Sequence, residues 1–167
     1  MIRLCGILCL VCASAGTGFY RAHRLREDVR SLELLCGWTE DAAACIRHQQ
    51  MELPELLAFL ASHPNYRRFR FPGEVCRELS PLQPPGALWE RAILADSAVP
   101  ASARSILIGL GNTLGTTDCE GQIAALTLYR HQLTQALAAA RETLGTKGKL
   151  CRSLGLLGGA MAAVILI

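Results

Sequence analysis

The sequence runs out of polar groups before it ends. From Leu154 to Ile167 it carries no charge, no proline and no amide side chain. Other absences are as informative. The net charge of +3 is too small to argue for nucleic acid. No stretch alternates apolar and polar residues as a half-buried strand would. The four histidines, His23, His48, His63 and His131, are scattered. None has a second histidine three or four positions along a helix, which speaks against a metal site. No local Ser/His/Asp grouping suggests nucleophilic catalysis. Glu27 and Asp28, like Glu40 and Asp41, are sequence neighbours, and neighbours on a helix do not face each other. They read as solvated faces rather than an acid–base pair.

What is present is concentrated at the two ends. Hydrophobic residues make up 51% of the chain and the mean hydropathy is +0.27. The N-terminal run, Leu4 to Tyr20, would span about 25 Å as a helix. That is slightly short of a ~30 Å hydrocarbon core, a gap that Arg3 and Arg21 can cover by snorkelling. The C-terminal run spans about 21 Å, and Leu150 and Cys151 extend it, with Arg152 snorkelling. Both runs are expected to be transmembrane helices. Gly155, Gly159 and Ala163 recur every four residues, so they share one helix face, a spacing that lets helices approach closely in lipid. Ser14 and Gly18 offer the same spacing in the first run. A rival reading of the N-terminus is a signal peptide, with Arg3 as its charge and Ala13–Ala15 as the cleavage site. The chain would then be an exported, tail-anchored protein.

Basic residues set the expected orientation. Arg21, Arg24, Arg26, Lys147, Lys149 and Arg152 flank the middle segment, and Arg3 stands nearly alone on the other side. Positive charge stays in the cytoplasm, so the middle segment is expected there with both termini outside. That compartment keeps Cys36, Cys45, Cys76 and Cys119 reduced. The other four of the eight cysteines lie in or beside the apolar runs, where Cys9-x-x-Cys12 lacks the charge that activates a thiolate. The expected division is 1–20 first membrane helix, 21–149 helical bundle and 150–167 second membrane helix.

The middle segment reads as five or six helices. Leu25, Val29, Leu32, Cys36, Thr39, Ala43 and Ile46 step by fours and threes, one face of a helix. Ile123, Leu126, Leu133, Leu137, Ala140 and Leu144 do the same, with Arg130 interrupting. These first and last helices are expected to pair, closing the bundle, and to continue into the membrane runs. Pro54 suits the first turn of "PELLAFLAS". "HPNYRRFRFPGE" reads as a connector. Pro81, Pro84, Pro85 and Gly86 break the chain before "ALWERAILA", and Pro100 precedes "ASARSILIGLGNTLG". "TDCE", Thr117 to Glu120, has the form of a capping box opening the last helix.

"SILIGLGNTLGTTD" resembles a strand entering a phosphate loop. Its G-x-G-x-x-x-G spacing misses the dinucleotide pattern, no second strand follows, and no lysine precedes Thr116 and Thr117 as a nucleotide loop needs. A helix with glycines for close packing, ended by Gly115, fits better than a nucleotide-dependent enzyme.

Within "GNTLGTTDCEGQ", Gly111, Leu114, Gly115, Asp118 and Gln122 resemble the G-x-x-L-G-x-x-D-x-x-x-Q signature of stage III sporulation protein AB. "GFYRAHRLREDVRSLELL", "ELPELLAFLA", "ALWERAI" and "LCRSLGLLGGAMAAVILI" resemble the rest of that family in order. The resemblance implies an all-α, membrane-anchored protein, similar to the cytoplasmic domain of type II secretion and type IV pilus platform proteins. It implies a non-enzymatic scaffold without cofactor or small-molecule substrate, in a secretion-like complex between mother cell and forespore. Its implied partners are membrane lipid, a cytoplasmic secretion-type ATPase and other stage III sporulation membrane proteins. Asp118 and Gln122 are expected to fix the turn between the last two helices. Arg67, Arg68 and Arg70, interleaved with Tyr66, Phe69 and Phe71, form a candidate contact for an acidic partner or lipid headgroups. The alternative is a solvated loop whose aromatics tuck into the bundle.

Overall fold

The computed structural model describes the backbone of residues 2–79 and 85–166, and the side chains of residues 20, 22–79 and 86–146. All regular structure among the described residues is helical. In chain order it comprises α1 (Ile2–Gln49), α2 (Leu53–Ser62), a 3-10 turn (Pro64–Tyr66), α3 (Phe71–Glu78), α4 (Pro85–Ala95), α5 (Ala101–Thr113) and α6 (Cys119–Leu166). The chain divides into two compact units. One is residues 1–29 with 139–167, drawn from the outer parts of α1 and α6. The other, residues 30–138, is the helical bundle.

The expectation that the first and last helices run on into the apolar ends agrees with the bounds of α1 and α6. Among the described residues no helix is long and apolar enough to cross a membrane. Apart from Tyr20, the expected spans over 1–20 and 150–167, and the stripe Gly155, Gly159 and Ala163, lie outside the described side chains.

The bundle is built around three rings. Trp38 on α1, Phe71 on α3 and Trp89 on α4 are each fully buried. Their centroids are 5.7 Å (Trp38–Phe71), 5.9 Å (Phe71–Trp89) and 6.4 Å (Trp38–Trp89) apart, with tilts of 58° to 63°. Edge-to-face contacts of this kind add about 0.5–1.5 kcal/mol each to the ~1.5–3 kcal/mol from burying such a side chain. Leu56, Leu57 and Leu60 of α2 and Leu107 and Leu110 of α5 complete the interior. The buried face of α1 is broader than the expected stripe. Leu35, Trp38 and Ala42 are fully buried beside Leu32, whereas Cys36 and Ala43 are only half-buried. The face is therefore centred one helical row away, because the ring cluster sits on Trp38.

Within the bundle α1 lies beside α6. Arg130 Nη2 pairs with Glu40 Oε2 at 3.0 Å, Cys36 Sγ is 3.9 Å from Thr134 Oγ1, and Cys119 Sγ donates to the Ile46 carbonyl at 3.6 Å. Arg130 thus interrupts the apolar stripe of α6 in order to face α1. With both side chains about half exposed, the pair is worth less than about 1 kcal/mol.

The segment expected to be a connector, 63–74, contains a 3-10 turn and the first half of α3. Phe71, Pro72 and Val75 are its buried residues. Pro72 falls in the first turn, where its missing N–H costs nothing because no intrahelical partner exists there. The Arg70 side chain provides no cap. Asp96 does so from outside the helix: Oδ2 accepts from Arg70 N at 2.6 Å and Phe71 N at 3.2 Å. Oδ1 accepts from Ala98 N at 2.9 Å. One carboxylate, 4% exposed, therefore starts α3 and shapes the turn from α4 into α5. Arg91 and Glu78 form an exposed ion pair between α4 and α3.

Candidate functional site

The glycine-rich stretch is helix where a phosphate loop would require a strand and a turn. Gly109 and Gly111 lie inside α5, and the chain turns only after Thr113. Gly111 is where a helix backbone meets a ring. A Cβ there would fall inside the Trp89 indole, against Cγ, Cδ1 and Nε1. The same indole donates from Nε1 to the Leu107 carbonyl at 2.9 Å, one turn before Gly111. The missing side chain lets the ring lie on the backbone of α5 and reach that carbonyl.

Leu114 and Gly115 make the turn. Leu114 is fully buried at φ −65°, ψ 131°, Gly115 follows at φ +79°, and Thr116 N donates to the Thr113 carbonyl at 3.3 Å. These are the features of a type II turn, whose third position requires a positive φ and favours glycine. A Cβ on Gly115 would also lie 2.9 Å from Leu53 Cδ2, so the start of α2 packs against this turn.

Asp118 opens α6. Its Oδ1 accepts from Gly121 N at 3.0 Å, a cap onto the third residue of the helix. The capping residue is therefore Asp118 rather than Thr117, one position later than the box expected at 117–120. Gln122 donates from Nε2 to the Thr117 carbonyl at 3.0 Å, and its N–H donates to the Asp118 carbonyl at 2.9 Å. The structure thus places Leu114 and Gly115 in the turn between α5 and α6, Asp118 and Gln122 at the start of α6, and Gly111 inside α5 against Trp89. From Gly115 to Glu120 every residue is exposed.

The arginine segment is built differently. Tyr66, Phe69 and Phe71 are buried, while Arg67 and Arg70 are exposed and Arg68 is half-buried. The aromatics pin the backbone from inside and the alternate arginines point out. Tyr66 is tied further: its hydroxyl donates to Asp41 Oδ2 on α1 at 2.5 Å. Burial, followed by the hydrogen bond and charge of Asp41, pushes the Tyr66 phenol well above its ordinary value. Burial, with the Asp41 charge second, also raises the Cys45 thiol, which keeps it from acting as a thiolate. His63 caps the 3-10 turn, accepting from Asn65 N at 3.4 Å through Nδ1, and its ring lies 5.1 Å from that of Tyr66.

Cys45, Cys76 and Cys119 are free thiols. Among the described residues no group of three or more His, Cys, Asp or Glu side chains could hold a metal ion. Sequence reading missed Asp96 and the Asp41–Tyr66 bond. A signal for Asp96 existed: Asp followed by Ser-Ala-Val-Pro is a turn sequence. Nothing local, however, points to a helix 25 residues upstream.

The sequence model of stage III sporulation protein AB matches residues 3–167. The chain belongs to the stage III sporulation protein AB family. No curated protein and no solved structure matches it. Family membership is consistent with a role in sporulation.

Proposed function

We propose that this family member is a non-enzymatic membrane platform of a secretion-like complex in endospore formation. On this reading residues 1–20 and 150–167 cross the mother-cell membrane facing the forespore. The bundle hangs in the cytoplasm and engages a secretion-type ATPase together with other stage III sporulation membrane proteins. The observation that carries the reading is the family match over 3–167, apolar ends included. Two features of the bundle support it. Its one buried carboxylate among the described residues, Asp96, serves a helix start and a turn. Its glycine-rich stretch serves packing at Gly111 and a turn at Gly115.

The test has two arms in sporulating cells. The full chain should resist extraction by alkaline carbonate, and a membrane-impermeant thiol reagent should label Cys119 only after the membrane is opened. The tagged chain should also co-purify the ATPase, with little loss after Gly109→Ala. Release by carbonate would overturn the membrane placement. Purification free of ATPase in cells that express it would overturn the platform role.

A further inference from the structure

The outer face of α2 is self-complementary. Leu56, Leu57 and Leu60 are fully buried, so the opposite stripe, Glu55, Ala58, Phe59 and Ser62, faces outward, and all four are exposed. The spacing i, i+3, i+4, i+7 makes this one continuous helical row about 10 Å long. Phe59, 42% exposed, is one of the few large apolar side chains of the bundle left in solvent. It sits near the middle of the row, beside the small Ala58. At the start of α2, Glu52 and Glu55 are exposed and acidic. Past its end, Arg67 and Arg70 are exposed and basic. Arg67 is held next to that end. The Phe59 ring lies 6.4 Å from His63, His63 lies 5.1 Å from Tyr66, and the 3-10 turn folds the chain back through Tyr66.

We propose that this face pairs with the same face of a second copy of the chain, antiparallel about a two-fold axis near Ala58 and Phe59. A two-fold contact must be matched to itself, residue i meeting j while j meets i. A surface with exposed acids, Glu52 and Glu55, at the start of α2, an exposed ring in its middle and exposed Arg67 and Arg70 in the segment that follows its end can satisfy that condition. The antiparallel arrangement sets Glu52 and Glu55 of each copy toward Arg67 and Arg70 of the other. Phe59 then packs over Ala58 across the axis. The arginines are presented on a backbone fixed by buried Tyr66, Phe69 and Phe71, so little ordering remains to be done on association. Guanidinium groups suit carboxylates because of their paired, planar donors. An acidic segment of a different protein would use the arginines but leave Glu52 and Glu55 facing it with like charge. The second copy uses both ends. One helix face of this length buries less than the roughly 800 Å² per partner of a standard interface, so the pairing is weak and salt-sensitive.

The experiment uses the purified full-length chain in mild detergent with a photo-crosslinking benzoylphenylalanine in place of Phe59. Illumination at low salt should give an adduct of twice the chain mass, fading several-fold at high salt. The pair Glu52→Arg with Glu55→Arg should abolish it, as should Arg67→Glu with Arg70→Glu. All four changes together should restore it. These positions are exposed, and unchanged circular dichroism checks that the fold survives. Absence of the adduct at every concentration would overturn the pairing. So would an adduct indifferent to either charge reversal, or one not restored when both are combined.

Discussion

The indole of Trp89 rests on the bare backbone of Gly111 and donates its N–H to the Leu107 carbonyl at 2.9 Å. This contact decides what an alanine would do at that glycine. Elsewhere in a helix, alanine gains about 1 kcal/mol over glycine. Here the new methyl group would lie within the ring, and overpacking a fitted core costs about 1–3 kcal/mol on top of the lost hydrogen bond. Gly111→Ala is expected to lower stability by about 2 kcal/mol net and to shift the tryptophan emission. At Gly109 the neighbour is the ring end of half-buried Tyr129, which can swing aside, so Gly109→Ala should be close to neutral. Urea unfolding of both variants provides the comparison. A larger loss at Gly109 would contradict this account of the contact.

Among the described residues two stand in the left-handed region, and they predict opposite signs. Gly115 has φ +79° in the type II turn, so Gly115→Ala should cost about 1–2 kcal/mol. Gln50, just past the end of α1, has φ 52° with a side chain. Its backbone N–H still donates to the Ile46 carbonyl at 3.2 Å, a bond that glycine would keep. Gln50→Gly should therefore raise stability by about 0.5–1 kcal/mol. Thermal melts of the two variants should move in opposite directions.

Asp96 joins three helices through hydrogen bonds to Arg70 N, Phe71 N and Ala98 N. Asp96→Ala strands the Phe71 N–H in the interior and uncaps α3, for a loss of about 3 kcal/mol. Asp96→Asn keeps one acceptor oxygen and should lose roughly half as much. The near-ultraviolet dichroism of the aromatic cluster should weaken in the alanine variant before global unfolding, because Phe71 begins α3. Equal losses in the two variants would show that the bonds to α3 are not the source of the effect.

The buried Tyr66 phenol predicts an alkaline limb. Its folded value lies above the ordinary one, near pH 10, so the folded state holds the proton more tightly than the unfolded chain. Its contribution is complete below about pH 10 and is lost as pH rises from there, at up to about 1.4 kcal/mol per unit. Raised Cys45 adds in the same direction and begins near its ordinary value of 9.0. Tyr66→Phe should be less stable at neutral pH, having lost the bond to Asp41, but its stability should decline less steeply above pH 10. Urea midpoints taken from pH 8 to 11 give both slopes.

The residue pattern by itself determined that this protein is helical, and where most of its helices lie. The four-three spacing along α1 and α6, the prolines at the starts of α2, α4 and α5, and the glycine after α5 are local features. Each acts through backbone geometry within a few residues, so each can be read without knowing the neighbours. The likeness of "GNTLGTTDCEGQ" and four other segments to one family was legible for the same reason. Tertiary structure alone decided α3, which Pro72 and Gly73 disguise as a turn and which Asp96 caps from 26 residues beyond Arg70. It also decided that Gly111 exists for Trp89, that Asp41 holds Tyr66, and that α1 turns Trp38 inward at the centre of its buried face. Such contacts join residues far apart in sequence, and they exist only once the helices pack against one another.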